Sequence, residues 1–468
     1  MLSMSSTEAA TCSSWGTPEV IETNTGNADY HQVSVSSAGD AVAVWQQSDG
    51  TRDNIWSNRY VVGDGWGDAQ LIETDDSGNA SKPQVAVNSA ADAVAVWQQS
   101  DGTRWNIYSN RYVVGDGWGS AQLIETDDSG NALGPQVAVD DAGNAVAVWY
   151  QSNGTRYNIC SNRYVVGEGW GTVQLIDTYS LYDSSSPEVA VDGAGNAVVV
   201  WKQYDGTFIG LMSNRYVAGT GWGVAQRIDT SIGGIDSHQV SVSSAGDAVA
   251  VWQQVNGTRW DIYSNRYVIG DGWGSAQLIE TDNSGDAFDP QVAANAVGDA
   301  VAVWEQNGNT HRNIWSNRYV VGTGWGTAQL IETDNSGDAY DPQVAANAAG
   351  DAVAVWWQSD GTRWNVYSNL YVVGDGWGAA QFVETDDLQN ATEPKVAVDG
   401  TDNAVTVWRQ FDGNQSNIWS NRGAIEEESS ELPLIAIGIA IAAVVAVVIL
   451  VAYVSIRKKL PPKKQQQT

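Results

Sequence analysis

The chain has 468 residues with 55 Asp and Glu against 23 Lys and Arg, a net charge of −32, and two cysteines. The five basic residues beyond Leu432 have no acid among them, so the first 431 residues hold 18 Lys and Arg against 55 Asp and Glu and carry −37. A surface of that sign repels phosphate backbones and excludes nucleic acid as a partner, and Cys12 and Cys160 form no disulfide framework.

Residues 1–14 lack the apolar stretch of a secretory signal peptide and read as a disordered N-terminus. Trp15 to Thr23 then spells the last segment of a repeat whose beginning is missing. Eight near-identical units of about 52 residues follow, and each runs Q-V-A-V, G-(D/N)-A-V-A-V-W, N-I-(Y/W)-S-N-R-Y and G-x-G-W-G-x-A-Q-L-I-E-T, as in Gln84 to Thr126. The A-V-W tryptophans are Trp45, Trp97, Trp149, Trp201, Trp252, Trp304, Trp356 and Trp408.

Each unit holds four short runs rich in Val, Trp, Tyr and Ile, separated by turn residues, and so reads as four strands. A Gly such as Gly39 or Gly143 separates the first two runs, with Ala91 in its place once. A hairpin dipeptide separates the second and third: Asp49-Gly50, Asp101-Gly102, Asn153-Gly154, Asp205-Gly206, Asn256-Gly257, Asn307-Gly308, Asp360-Gly361 and Asp412-Gly413. Gly63-Asp64-Gly65 and its equivalents precede the fourth. The meander is a propeller blade. Small Ala and Val fill the first two runs and large aromatics the later ones, which suits blades converging on an axis. The last unit stops at Arg422 without its fourth run, so the N-terminal segment is expected to complete it and close the ring, leaving no open sheet edge. The expected fold is therefore all-β, an eight-bladed β-propeller over residues 15–422.

An acidic linker, 423–433, comes next. Leu434 to Ile456 is charge-free and dominated by Ile, Val and Ala, long enough to cross a hydrocarbon core as a helix. Residues 457–468 begin with Arg457, Lys458 and Lys459, a basic flank that belongs on the cytoplasmic side and leaves the propeller outside. The alternative is a tail anchor with the propeller in the cytoplasm. Five N-x-(S/T) sequons, at Asn79, Asn153, Asn256, Asn390 and Asn414, are compatible with an external ring.

Candidate sites repeat with the blades, and no single nucleophile, acid or base stands apart, so the chain is not read as an enzyme. His31 and His238 occupy equivalent positions in blades one and five; as metal ligands they would have to meet across the ring, and a four-blade duplication accounts for them. The inter-blade loops carry Asp75-Asp76 and Asp127-Asp128 beside a Gly turn. These carboxylates are calcium candidates, with solvated turns as the alternative. The arginine series Arg59, Arg111, Arg163, Arg215, Arg266, Arg318 and Arg422, broken by Leu370, either binds a carboxylate or sugar hydroxyls or pairs with an Asp of the neighbouring blade. One position varies within fixed surroundings: Asp53, Trp105, Tyr157, Ile209, Trp260, Arg312, Trp364 and Ser416. Trp105, Tyr157, Trp260 and Trp364 are candidate stacking platforms for a ligand, or covers for the edge of the next blade.

The D-G turn and late G-W-G segment resemble those of lectin propellers of the tachylectin type, whose blades each carry an equivalent sugar pocket. The chain is more distantly similar to Asp-box propellers such as sialidases, although Gly143 to Trp149 has five intervening residues and the S-x-D of that motif is missing. Blade identity and the aromatic series, beside this resemblance, point to a lectin-like, multivalent binding or adhesion module, with glycan or a surface protein as ligand and Leu434 to Ile456 as its membrane anchor. A structural surface coat without a soluble ligand, and an enzyme acting on polysaccharide, are the alternatives.

Overall fold

In a computed structural model of the chain, the described residues are 14–425 apart from 75–77, 127–128, 178–180, 231–232, 282–284, 334–335 and 385–388. The calcium candidates Asp75, Asp76, Asp127 and Asp128 lie outside them, as do residues 1–13, most of the linker, the apolar stretch Leu434 to Ile456 and the basic tail. Among the described residues no helix is long and apolar enough to cross a membrane.

The expected eight blades are present as eight antiparallel sheets. Blade one is built from Ala28–Val35, Ala41–Ser48 and Asp53–Val61, then Gly65–Trp66 and Gln70–Leu71. The fourth run is thus not one strand but two dipeptides, which pair with the third strand at Tyr60 and Val61 and again at Trp56 and Ser57. Asn58 causes the interruption: its Nδ2 donates to Gly67 O at 2.9 Å and to Ile21 O of the preceding segment at 2.8 Å. That Asn recurs in every S-N-R-Y, and the broken outer edge offers little backbone for another chain to pair with.

The ring closes as the offset repeat requires. Ser14 and Trp15 pair with Ala424 and Gly423, and Glu19 and Val20 pair with Ser420 and Trp419. Blade eight therefore reaches Ala424, two residues past the expected end at Arg422. First strands of successive blades touch one another all the way round, last to first included, and so line the axis.

The core sits between blades. Trp97 lies with Ala93 and Ala95 against Val42, Val44 and Ile55 of the preceding blade, all buried. All eight A-V-W indoles are fully buried, and each is worth about 3–5 kcal/mol by large-to-small replacement. Burial obliges the indole N–H to find an acceptor. Trp97 donates to Gln99 Oε1 at 2.9 Å, and Gln99 donates to the buried carboxylate of Glu73 at 3.0 Å. Trp45, Gln47 and Glu22 form the same relay, as do Trp356, Gln358 and Glu332. A-V-W-x-Q and E-T are thus two halves of one inter-blade bond network.

Two local devices recur. In the hairpin, Asp49 and Arg52 bracket a tip of Gly50-Thr51: Asp49 N–H donates to Arg52 O, and its carboxylate accepts from Arg52 N–H and the Thr51 hydroxyl. The two-residue tip is therefore one position later than the expected Asp49-Gly50, because the Asp serves as a cap, and Gly50 supplies the positive φ of 91°. In blade six the bracket falls on Gly308 and His311, which displaces the tip from the expected Asn307-Gly308. The first strand carries a bulge, with left-handed backbone at Tyr30, Lys82, Gly134, Ser186, Asp289, Asp341 and Glu393. The next residue is Pro in six blades, which fits a position that has left the ladder, and His31 or His238 in the other two.

Candidate functional site

The third strand of one blade positions an Arg and the third strand of the next a Tyr, and the two meet at seven of the eight blade junctions, with a Trp of the fourth run beyond the Tyr. Between blades five and six, the Arg266 guanidinium lies 5.0 Å from the centre of the Tyr319 ring of the next blade and donates to its hydroxyl at 3.1 Å. It also pairs with Asp247 at 2.7 Å. Tyr319 in turn meets Trp325 edge to face at 5.7 Å. The same stack recurs in Arg318 over Tyr371, with Trp377 beyond it. Seven junctions carry the Arg over Tyr contact.

The arginines thus pair with an Asp, but not one on the neighbouring blade: Asp40, Asp92, Asp247 and Asp299 belong to the same blade as their arginines. The turn between the first two strands sets each carboxylate opposite the end of the third strand, where its other oxygen accepts a backbone N–H such as that of Val62. The neighbouring blade contributes the aromatic ring instead.

These stacks wall two clefts. One, of about 270 Å³, is lined by Arg266, Trp273, Gln277, Tyr319 and Trp325 among others. Its counterpart one blade on, about 410 Å³, is lined by the equivalent Arg318, Gln329, Tyr371 and Trp377. Both tryptophans of the first cleft are half-buried, and Gln277 and Gln329 are exposed. Arg and Tyr are already engaged with protein partners, so the free chemistry is a Trp ring and a side-chain amide. That combination suits a small polyhydroxylated ligand with one apolar face.

The platform candidates are spread over four blades and are not brought together. Trp105, Tyr157, Trp260 and Trp364 are all half-buried at the hairpin end. Tyr157 packs edge-on against Tyr150 at 5.4 Å, and Trp364 against Trp357 at 4.6 Å and Tyr340 at 5.7 Å. Their backbone N–H groups are held by the next unit, as in Trp105 to Asn131 and Trp364 to Asn390.

His31 and His238 stay on their own blades, buried, each bonded through Nε2 to the bulge carbonyl of the preceding blade, Glu393 or Ser186. Burial pushes their pKa values down to about 3 and about 4, so both are neutral and act as inter-blade donors. Sequence reasoning missed one acidic group: carboxylate oxygens of Asp289, Glu305 and Asp341 lie within 4.8 Å of one another. Its oxygens already have partners. Asp341 N–H and Arg312 bond Glu305, Trp357 bonds Asp341 and the Ser237 hydroxyl bonds Asp289. Burial, which outweighs the Arg312 contact, pushes the Glu305 pKa up to about 7.

No family model matches the chain. No curated protein matches it either. Among solved structures it is similar to the polysaccharide lyase Uly1, at 12% identity over 78% of this chain and 94% of that one, with a TM-score of 0.47. It is also similar to the intramolecular trans-sialidase from Ruminococcus gnavus, at 11% over 87% and 96%, TM-score 0.42. A third is the fucose-recognising, six-bladed Aleuria aurantia lectin, at 12% over 67% and 97%, TM-score 0.38. At these identities and scores the likeness is one of general architecture and carries no residue role or activity over to this chain.

Proposed function

We propose that this chain is a membrane-tethered, multivalent binding module for glycans, with its sites in the repeated inter-blade clefts. The observation that carries the reading is the equivalence of the two clefts, which present the same Arg, Tyr, Trp and Gln one blade apart. Weak equivalent sites on a rigid ring gain avidity against a repetitive ligand without new contacts. The tether rests on the sequence of Leu434 to Ile456.

A glycan array probed with the full-length protein, with calcium and with chelator, tests the reading. Discrete hits are expected. They should fall at least about tenfold when Trp273, Trp325 and Trp377 are replaced together by Ala, since each stacking contact is worth about 0.5–1.5 kcal/mol. Replacing Trp105, Trp260 and Trp364 instead distinguishes the hairpin-end platforms: loss only in that variant moves the site there. Loss in the presence of chelator assigns a role to calcium and the acidic loops. A blank array from folded protein overturns the glycan reading in favour of a surface coat.

A further inference from the structure

Blade four departs from its siblings in one place. The loop entering it reads Tyr179-Ser180-Leu181-Tyr182 where the loop entering blade two reads Asp75-Asp76-Ser77-Gly78. Its hairpin carries Tyr204, Phe208 and Ile209 where blade one has Ser48, Arg52 and Asp53. The two segments meet in space: the Tyr182 and Tyr204 rings are edge to face at 5.3 Å. The Tyr182 hydroxyl lies 2.6 Å from where a side chain at Gly206 would begin, so only Gly admits it. Leu181, Tyr182, Tyr204, Phe208 and Ile209 are all exposed, Leu181 by 82%. Blade eight repeats one of these changes, Phe411, without the others.

The charge of the missing Arg has moved inward rather than vanished. Arg227, at a position that is Leu in blade one, pairs with Asp205 at 2.7 Å and Asp229 at 2.6 Å. Gly210 stands where blade one has Asn54 and makes room, because a Cβ there would lie 2.7 Å from the guanidinium carbon. Lys202 pairs with Asp236 at 2.8 Å. With Asp183 beside Tyr182 the sector is less acidic than its siblings, not uncharged: Tyr179-Ser180 replace an Asp pair in the loop entering blade four, and the loop leaving it, Ser231-Ile232-Gly233-Gly234, has no acid where the loop leaving blade two has Asp127-Asp128. Contiguous exposed apolar surface of this kind marks an interaction site.

We propose that this patch at the hairpin end of blade four joins two copies of this chain about a two-fold axis. Charge selects the occupant. A basic partner is drawn to the acid-bearing loops elsewhere, whereas a second acidic ring is repelled least at the sector with the fewest acids. An apolar patch is its own complement, and a single such patch among the described residues of the ring closes at two copies instead of growing a lattice. The pairing is independent of the ligand in the clefts.

Cross-linking of the full-length chain in its membrane, in a Cys12→Ser background, tests this. Leu181→Cys under mild oxidation is expected to give a disulfide-linked dimer on a non-reducing gel. Ser129→Cys, at the same place in the loop entering blade three, is expected to stay monomeric. Adding Tyr204→Ser and Phe208→Ser should cut the cross-link at least about tenfold, as loss of central aromatic anchors does. Raising salt should strengthen it, because two like-charged rings are screened. No dimer from folded Leu181→Cys, equal cross-linking of Ser129→Cys, or a cross-linked band with the mass of a different protein would each overturn the proposal.

Discussion

Seven blade junctions and the eighth are held by different means. At seven, an Arg lies over a Tyr of the next blade, and six of these arginines also pair with an Asp of their own blade. At the junction of blades seven and eight, Leu370 stands at the Arg position and Gly423 at the Tyr position. Leu370 and Val372 are buried there with Ile425, against Trp15 of the closing segment, whose indole N–H reaches Ser368 at 2.8 Å. Both members of the pair are absent together. Arg and Tyr therefore act as one unit, and the seam that the chain termini must close is apolar instead.

The largest effect should come from forcing the common solution onto the seam. Leu370→Arg puts a guanidinium into a packed apolar site and is expected to cost about 3 kcal/mol or more, read as a fall in Tm. Adding Gly423→Tyr should restore part of it if the pair is a unit, whereas additive losses would break the comparison. At an ordinary junction, Arg266→Leu leaves Asp247 without its cation and is expected to cost about 2 kcal/mol. In a denaturant double-mutant cycle with Tyr319→Leu, a coupling of about 0.5–2 kcal/mol is expected; zero coupling would reduce the stack to coincidence.

The junctions that use histidine differ from those that use proline in their response to acid. His31 and His238 are neutral when folded, with pKa values lowered by burial to about 3 and about 4 from the usual 6.5. The unfolded chain takes up protons below pH 6.5 and the folded chain does not. Their contribution is therefore whole above pH 6.5 and is lost as pH falls toward 3 to 4, by up to about 1.4 kcal/mol per pH unit for each. Replacing both by Pro, the residue of the other six blades, should flatten stability measured between pH 6.5 and 4.5; an unchanged slope would contradict neutral burial. The smallest effect is at Ala91, which holds a φ of 65° where six blades have Gly and blade eight has Asp402. Ala91→Gly is expected to stabilise by about 1 kcal/mol, and destabilisation would show that the turn is not strained.

The blade count, the closure and the hairpins were legible in the sequence because spacing and turn chemistry encode them locally. What was not legible is what crosses between blades. Arg59 could equally have met an Asp of its own unit or the next, since every unit offers the same residues, and only the geometry distinguishes Asp40 from its copies. The link from Trp97 through Gln99 to Glu73 escaped for the same reason: its members sit in two motifs 26 residues apart that read as strand and loop. The clefts lie between repeats, whereas the variable series at Trp105, Tyr157, Trp260 and Trp364 drew attention to the hairpin end. The bulge ahead of Pro83 left a trace in the P-Q and H-Q pairs, which mark a residue outside the ladder.

The most direct test of the account is binding of the full-length protein to an array-identified glycan displayed at graded surface densities. Repeated clefts on one ring predict that apparent affinity falls steeply, by about 100-fold or more, once ligands are too sparse for two sites to engage together. An affinity that does not change with density would mean a single site, and would contradict the multivalent reading of the ring.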